Sequence, residues 1–241
     1  MNNPKVAAVV FALLIVTYIL NGLRMAESIW FTMDEGSYLI KGYWFLTGQA
    51  RPFEINGPIT NKPPLAFLIP GLSQLIQPGI ASGRMINVFL LAGSLVGLWM
   101  TLRRQGHAWW GNLALLLVVI NPAWVEYYTR VMTQTPTVFF LVWSLYFGLG
   151  KERGLGQLMI AAGLGVLMVF TRHNVAFYLP IFWIYLVWEH GLKKASVAFL
   201  PAAFLFVAVN ALYWPGIFSF LWAKSLPSQI ADGIFALSGI E

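Results

Sequence analysis

Long apolar runs alternate with short polar breaks along the chain. Asp, Glu, Lys and Arg are absent from residues 6–23, 63–83, 85–102, 105–125, 131–150, 154–171, 174–188 and 195–223. A helix that crosses a bilayer needs roughly 20 mostly apolar residues, in a range of about 17–25, so these runs are the candidate spans. The run 63–83 differs from the rest. It holds four prolines, three glycines, two glutamines and two serines, and its unbroken apolar part, Leu65 to Pro70, is too short to cross. Helix breakers survive in lipid only where neighbours satisfy the freed backbone groups, and a short helix lying at the interface suits this segment better. The pattern therefore predicts an all-α polytopic membrane protein with about seven transmembrane helices and one long loop over 24–84.

Positive charge then sets the orientation. With seven spans, Lys5, Arg103, Arg104, Lys151, Arg153, Lys193 and Lys194 fall on the N-terminal side, against Arg130, Arg172 and Lys224 in the short loops opposite, a ratio of 7 to 3. Short loops rich in Lys and Arg stay in the cytoplasm, which puts the N-terminus there. If 63–83 also crossed, the short-loop count would be 6 to 5 in the inverted sense; the prolines decide against that model. The first run is followed by Asn21-Gly22-Leu23-Arg24-Met25, which offers no small-residue cleavage site, so it is expected to stay as a helix. Trp109-Trp110, Tyr127-Tyr128 and Tyr213-Trp214 suit the aromatic belts of the two interfaces.

Composition agrees. Of 241 residues, 59% are hydrophobic and 10% charged, with mean hydropathy +0.70; a soluble domain has about 25% charged residues. A soluble enzyme, a disordered tail and a coiled coil are excluded together. The absence of cysteine removes disulfides, thiolate zinc sites and cysteine nucleophiles, and accords with a bacterial or archaeal plasma membrane. The net charge of +6 reads as topology signal, with nucleic acid not expected as a partner.

Chemistry concentrates on the outer side. Seven of the nine acids lie there, Glu27, Asp34, Glu35, Glu54, Glu126, Asp232 and Glu241, with Arg24, Lys41, Arg51, Lys62, Arg84, Arg130, Arg172 and Lys224. Bases that defy the positive-inside trend suggest an anionic ligand. Asp34 and Glu35 are about 100° apart on a helix, so at most one acts as a catalytic base while the other caps or pairs. The rival reading is that both simply occupy a helix N-terminus, where carboxylates are favoured. Lys62 precedes a stiff Pro63-Pro64, Arg84 opens the second span, Arg130 the fourth, and Arg172 ends the fifth. Four such cations could surround a phosphate, or could snorkel to headgroups. Glu126 and Arg130, four residues apart, could be no more than a local ion pair. His173 at a helix end reads as a hydrogen-bonding or interfacial group.

The order Asp34-Glu35, Tyr38, Lys62-Pro63-Pro64-Leu65, Arg84, Arg103-Arg104-Gln105-Gly106, Asn121-Pro122, Arg130 and Gln134-Thr135-Pro136 resembles the GT-C glycosyltransferases. Within them it is most similar to the protein O-mannosyltransferase and aminoarabinose-transferase group, over roughly residues 1–190. The resemblance implies a single membrane module over 1–241, with the first extracytoplasmic loop, 24–84, carrying two juxtamembrane helices and the active site. It implies an extracytoplasmic segment at 214–241, and a sugar passed from a polyprenyl-phosphate donor to an acceptor hydroxyl with inversion. Asp34 would be the general base and Glu35 its support. Lys62 and Arg84, and less directly Arg130 and Arg172, would bind the donor phosphate. The acceptor, whether protein, lipid or glycan, stays open.

Two departures count against a bound metal: Gln134 stands where many relatives have an acid, and Asn61 where some have Glu or His. No cofactor is therefore expected, a divalent ion being the one weakened alternative. Relatives usually continue with more helices, which implies a truncated or minimal form. The competing readings are a GT-C relative that only binds the lipid carrier, and a transporter or assembly subunit. Transporters tend to carry ionisable residues near mid-membrane and repeated halves, and neither occurs in these runs.

Overall fold

The computed structural model describes residues 3–49 and 63–213. They form α1 (Pro4–Ser28), α2 (Met33–Leu46), α3 (Pro64–Ile76), α4 (Ile80–Arg104), α5 (Ala108–Val119) and α6 (Pro122–Thr129), then α7 (Gln134–Gly148), α8 (Leu155–Thr171), a 3-10 turn (His173–Val175), α9 (Tyr178–His190) and α10 (Leu192–Tyr213). No strand occurs among the described residues. The outward faces of the long helices are apolar, with Leu13, Leu20, Leu200 and Phe204 all exposed, as an integral membrane protein requires.

Three helices, α1, α4 and α10, are long and apolar enough to cross a bilayer, and α5 with α6 makes a fourth if that bent pair is one span. This is fewer than the seven expected. The run 105–125 does not form one straight helix. It breaks at Asn121-Pro122 with a bend of 84°, because Pro122 has no N–H to continue the α5 ladder and instead starts α6. Helices α7, α8 and α9 have 15, 17 and 13 residues. At about 1.5 Å per residue each falls short of a hydrocarbon layer of about 30 Å.

Of the four buried apolar clusters among the described residues, two show how the long helices pack. Phe11 and Tyr18 of α1 pack with Val88, Leu91, Leu95 and Trp99 of α4 and Leu115 of α5, with the Phe11 and Trp99 rings stacked at 4.6 Å. Leu158 and Ala161 of α8 pack with Phe182 and Leu186 of α9 and Ala195 and Ala198 of α10. Helix α7 lies between α4 and α8 and ties the two cores together.

Within 63–83, which the sequence reads as lying at the interface, the chain forms a 13-residue helix, α3, and then starts α4 at Ile80. Arg84 therefore sits inside α4, not at its first residue. Helices α2 and α3 pair closely through Gly42 and Gly71. A Cβ on Gly42 would lie 2.8 Å from Gly71 Cα and closer still to the Phe67 carbonyl oxygen. Only glycine allows two helix backbones to approach this far.

Candidate functional site

The site is built around the junction of α1 and α2. The chain leaves α1 in an extended conformation at Ile29 and enters α2 at Thr32. Glu35 is the third residue of α2, and its carboxylate turns back to accept from the Thr32 backbone N–H at 3.1 Å and Thr32 Oγ1 at 3.0 Å. This is the reciprocal contact of a capping box. The same carboxylate accepts from Arg84 Nε at 2.8 Å, from Arg84 Nη2 at 2.9 Å and from the Val131 N–H at 3.0 Å. Arg130 Nη1 lies 3.5 Å from its Oε2. Glu35 is 0% exposed and Arg84 1%.

Burial alone would push the Glu35 carboxyl up. The hydrogen bonds from Arg84, Val131 and Thr32, with the Arg84 charge, outweigh it and hold the carboxyl below its ordinary value. Arg84 fills its remaining donors from the end of α1: Nη1 donates to the carbonyls of Ala26 at 3.2 Å and Ile29 at 2.9 Å, and Nη2 to that of Trp30 at 3.0 Å. All five of its N–H groups are engaged by protein oxygens. Arg130 donates to Trp30 O at 3.0 Å and to Glu126 at 2.6 Å, so the local ion pair read from the spacing is present. Asn87 Nδ2 donates to the Arg130 carbonyl at 2.5 Å and fixes that turn against α4.

Asp34, one residue earlier, faces the other way. It is exposed and makes no ion pair among the described residues. With Tyr38 it lines an open polar cavity of about 350 Å³, whose other walls are Pro63, Met132, Thr133 and Gln134 and Thr171, Arg172, His173 and Asn174. The Arg172 Nε donates to Asn174 Oδ1 at 3.1 Å. Burial pushes the Tyr38 phenol up and the Asp34 charge adds to this, while Arg172 and a hydrogen bond with Thr133 oppose it. Tyr38 therefore sits within electrostatic reach of both charges.

A family model described as dolichyl-phosphate-mannose-protein mannosyltransferase matches residues 61–214, more than half of the chain. The chain belongs to this family. It is a membrane glycosyltransferase of the GT-C kind. The matched region takes in Lys62, Arg84, Arg130 and Arg172, and Asp34 and Glu35 precede it. No curated protein and no solved structure matches the chain significantly.

In this transferase the residues picked out by sequence fall into two groups. Glu35, Arg84 and Arg130 meet in one ion-pair network, whereas Asp34 and Arg172 share the cavity. Lys62 lies outside the described residues, as do Asn61, most of the polar stretch of the first loop and the segment 214–241. The sequence did not single out Thr133 or Asn174 as cavity walls, and it read His173 as a hydrogen-bonding or interfacial group. His173 and Asn174 share a polar run, Thr171-Arg172-His173-Asn174, that breaks an apolar stretch, whereas Thr133 lies apart, beside Gln134. Lys41, counted only among the outer bases, is buried over the rings of Phe67 and Phe45 at 5.4 and 5.6 Å; burial pushes its amine below the ordinary value. Among the described residues no three His, Cys, Asp or Glu side chains converge as a metal set.

Proposed function

We propose that this transferase moves a sugar from a polyprenyl-phosphate donor to an acceptor hydroxyl at the extracytoplasmic face, by a single inverting displacement. The observation that carries the reading is the cavity itself, which among the described residues is lined by one carboxylate, Asp34 of α2, and one arginine, Arg172, at the extended exit of α8. The Asp34 carboxylate takes the proton as the acceptor oxygen attacks the anomeric carbon. The bond from that carbon to the phosphate oxygen breaks, and polyprenyl phosphate leaves with the bonding pair. Arg172, with Lys62 from the first loop, stabilises the charge growing on the leaving oxygen. Arg130, partly engaged already, stands further back. Glu35 and Arg84 act as positioning residues: they tie the end of α1, the start of α2 and α4 together, and so set where Asp34 points.

The same reading counts α1, α4, the α5–α6 pair and α10 as crossings, adds α7, α8 and α9 through the uncharged runs 131–150, 154–171 and 174–188 that contain them, and takes α2 and α3 as juxtamembrane helices. Contacts at the far end support it. Arg104, at the end of α4, donates to Tyr146 O near the end of α7, and Lys194, at the start of α10, donates to Arg153 O before α8. The basic ends thus share one side, which the positive-inside trend assigns to the cytoplasm, opposite Asp34 and Arg172.

The test is release of polyprenyl phosphate by the purified full chain in lipid, from a panel of polyprenyl-phosphate sugars that includes mannose, with candidate acceptors. Asp34→Asn should slow release by about 10²–10⁴-fold, the usual contribution of a general base, and leave donor binding intact. A wild type that binds donor without turnover would reverse the proposal in favour of a carrier-binding protein. A product with the donor's anomeric configuration would refute the single displacement.

A further inference from the structure

The end of the molecule remote from the cavity gathers cations; Glu152 and Glu189 are the acids there, and among the described residues neither is in an ion pair. Arg104 closes α4; its Nη2 donates to Tyr146 O at 2.6 Å and its guanidinium lies 4.5 Å from the Tyr146 ring centre. Arg153 stands in the α7–α8 turn, where its Nε donates to Leu149 O at 2.8 Å. Lys194, in the first turn of α10, donates to Arg153 O at 2.5 Å. Tyr185 of α9 accepts from the Gly150 N–H at 3.0 Å and braces that turn. Five helices, α4, α7, α8, α9 and α10, therefore meet at one place.

The groups that hold these cations are main-chain carbonyls, which orient a charge without cancelling it. Among the described residues none of the three has a carboxylate within ion-pair distance. Arg153 is near enough to act on Arg104 as a like charge, and both Arg153 and Lys194 act on His190, where Glu189 is the opposing charge. Like charges held together by fixed hydrogen bonds are costly unless an anion joins them. The flank is apolar: Leu155, Trp188 and Leu192, at the same ends of α8, α9 and α10, are all exposed, Trp188 by 85%. A phosphate headgroup with acyl chains running down beside it meets both halves of this surface.

We propose that Arg104, Arg153 and Lys194 form a binding site for the phosphate of an anionic phospholipid in the leaflet opposite the candidate active site. Positions Arg103, Lys151 and Lys193 carry the same number of cations nearby; none donates a hydrogen bond in that cluster, and Arg103 lies instead over the Trp99 ring. They serve as the charge-matched control.

The experiment uses the full chain, purified and delipidated in detergent, with native mass spectrometry and melting curves. Phosphatidylglycerol, phosphatidylcholine and inorganic phosphate are titrated separately. Phosphatidylglycerol should bind and raise the melting temperature at concentrations where the other two do neither. Neutralising one cation should weaken that binding about fivefold, and Arg104→Gln/Arg153→Gln/Lys194→Gln together by about 100-fold, at the usual contribution of a basic residue near an anionic surface. Lys194→Gln alone keeps the test valid if the triple variant folds poorly. The control Arg103→Gln/Lys151→Gln/Lys193→Gln should bind as the wild type does. Equal binding of both lipids, equal loss in the control, or equal stabilisation by inorganic phosphate would each overturn the site.

Discussion

Replacing Glu35 with glutamine keeps the shape of the side chain and removes one charge. The carboxylate accepts five hydrogen bonds, two on Oε1 from Arg84 Nε and the Val131 N–H, and three on Oε2 from Arg84 Nη2, the Thr32 N–H and Thr32 Oγ1. A glutamine amide can match only the oxygen side. Its NH₂ group would then face two N–H donors across the other side, with only the Thr32 hydroxyl free to rotate and accept. The buried Arg84 guanidinium would keep its charge with no anion against it. Breaking a buried pair from one side costs about 3–5 kcal/mol, a large part of a total stability of about 5–15 kcal/mol. In a chain of this size that lowers the melting temperature by on the order of 10 °C.

The assay is thermal unfolding of the wild type, Glu35→Gln and Asp34→Asn in the same detergent. Glu35→Gln should melt early and lose activity through misplacement of α2. Asp34→Asn should melt with the wild type, because the exposed Asp34 carboxylate has no ion-pair partner among the described residues. A pH series sharpens the comparison. The folded Glu35 carboxyl titrates below its ordinary value of 4.5, so its contribution is complete above that value and fades as pH falls through the lower folded one. The gap between wild type and Glu35→Gln should therefore be constant at neutral pH and narrow in acid. If Glu35→Gln melted within a degree of the wild type, the hub would be refuted as the element that fixes α2.

Three further outcomes follow from the geometry. Arg172→Gln should cut turnover by about 10²–10³-fold, as removal of one charge-stabilising donor does, and leave the melting curve in place; kinetics with a single donor check this. Gly42→Leu forces a side chain where even a Cβ would lie 2.8 Å from Gly71 Cα, so α2 and α3 must separate. Overpacking of this kind costs about 1–3 kcal/mol and should show as faster proteolysis of the first loop. Lys41→Met removes a buried amine whose Nζ has no hydrogen-bond partner among the described residues. Since burial lowers that amine's folded pKa, the substitution should raise the melting temperature, most clearly at pH values where the unfolded lysine is charged. A fall instead would mean that the contacts with Phe45 and Phe67 outweigh burial.

The apolar runs by themselves determined that this chain is a helical membrane protein, because no other fold hides that much hydrocarbon. Four prolines argued against 63–83 as a span, and Asp34-Glu35 with the four-residue motif Lys62-Pro63-Pro64-Leu65, Arg84 and Arg130 pointed to the family. Periodicity and charge count are local properties, and these conclusions need nothing else. The bend at Asn121-Pro122 and the shortness of α7 to α9 were not legible, since a run's composition fixes what can lie in lipid but not where a helix stops. The division of labour at the site was also beyond the sequence. Asp34 and Glu35 are neighbours, and Arg84 and Arg172 are both outer bases. Which carboxylate is buried against which arginine depends on the angle at which α2 leaves α1, and on the carbonyls of Ala26, Ile29 and Trp30 that α1 presents to Arg84. Only the packing of α1, α2 and α4 sets that angle. By turning Glu35 inward it leaves Asp34, about 100° further round the helix, facing the cavity.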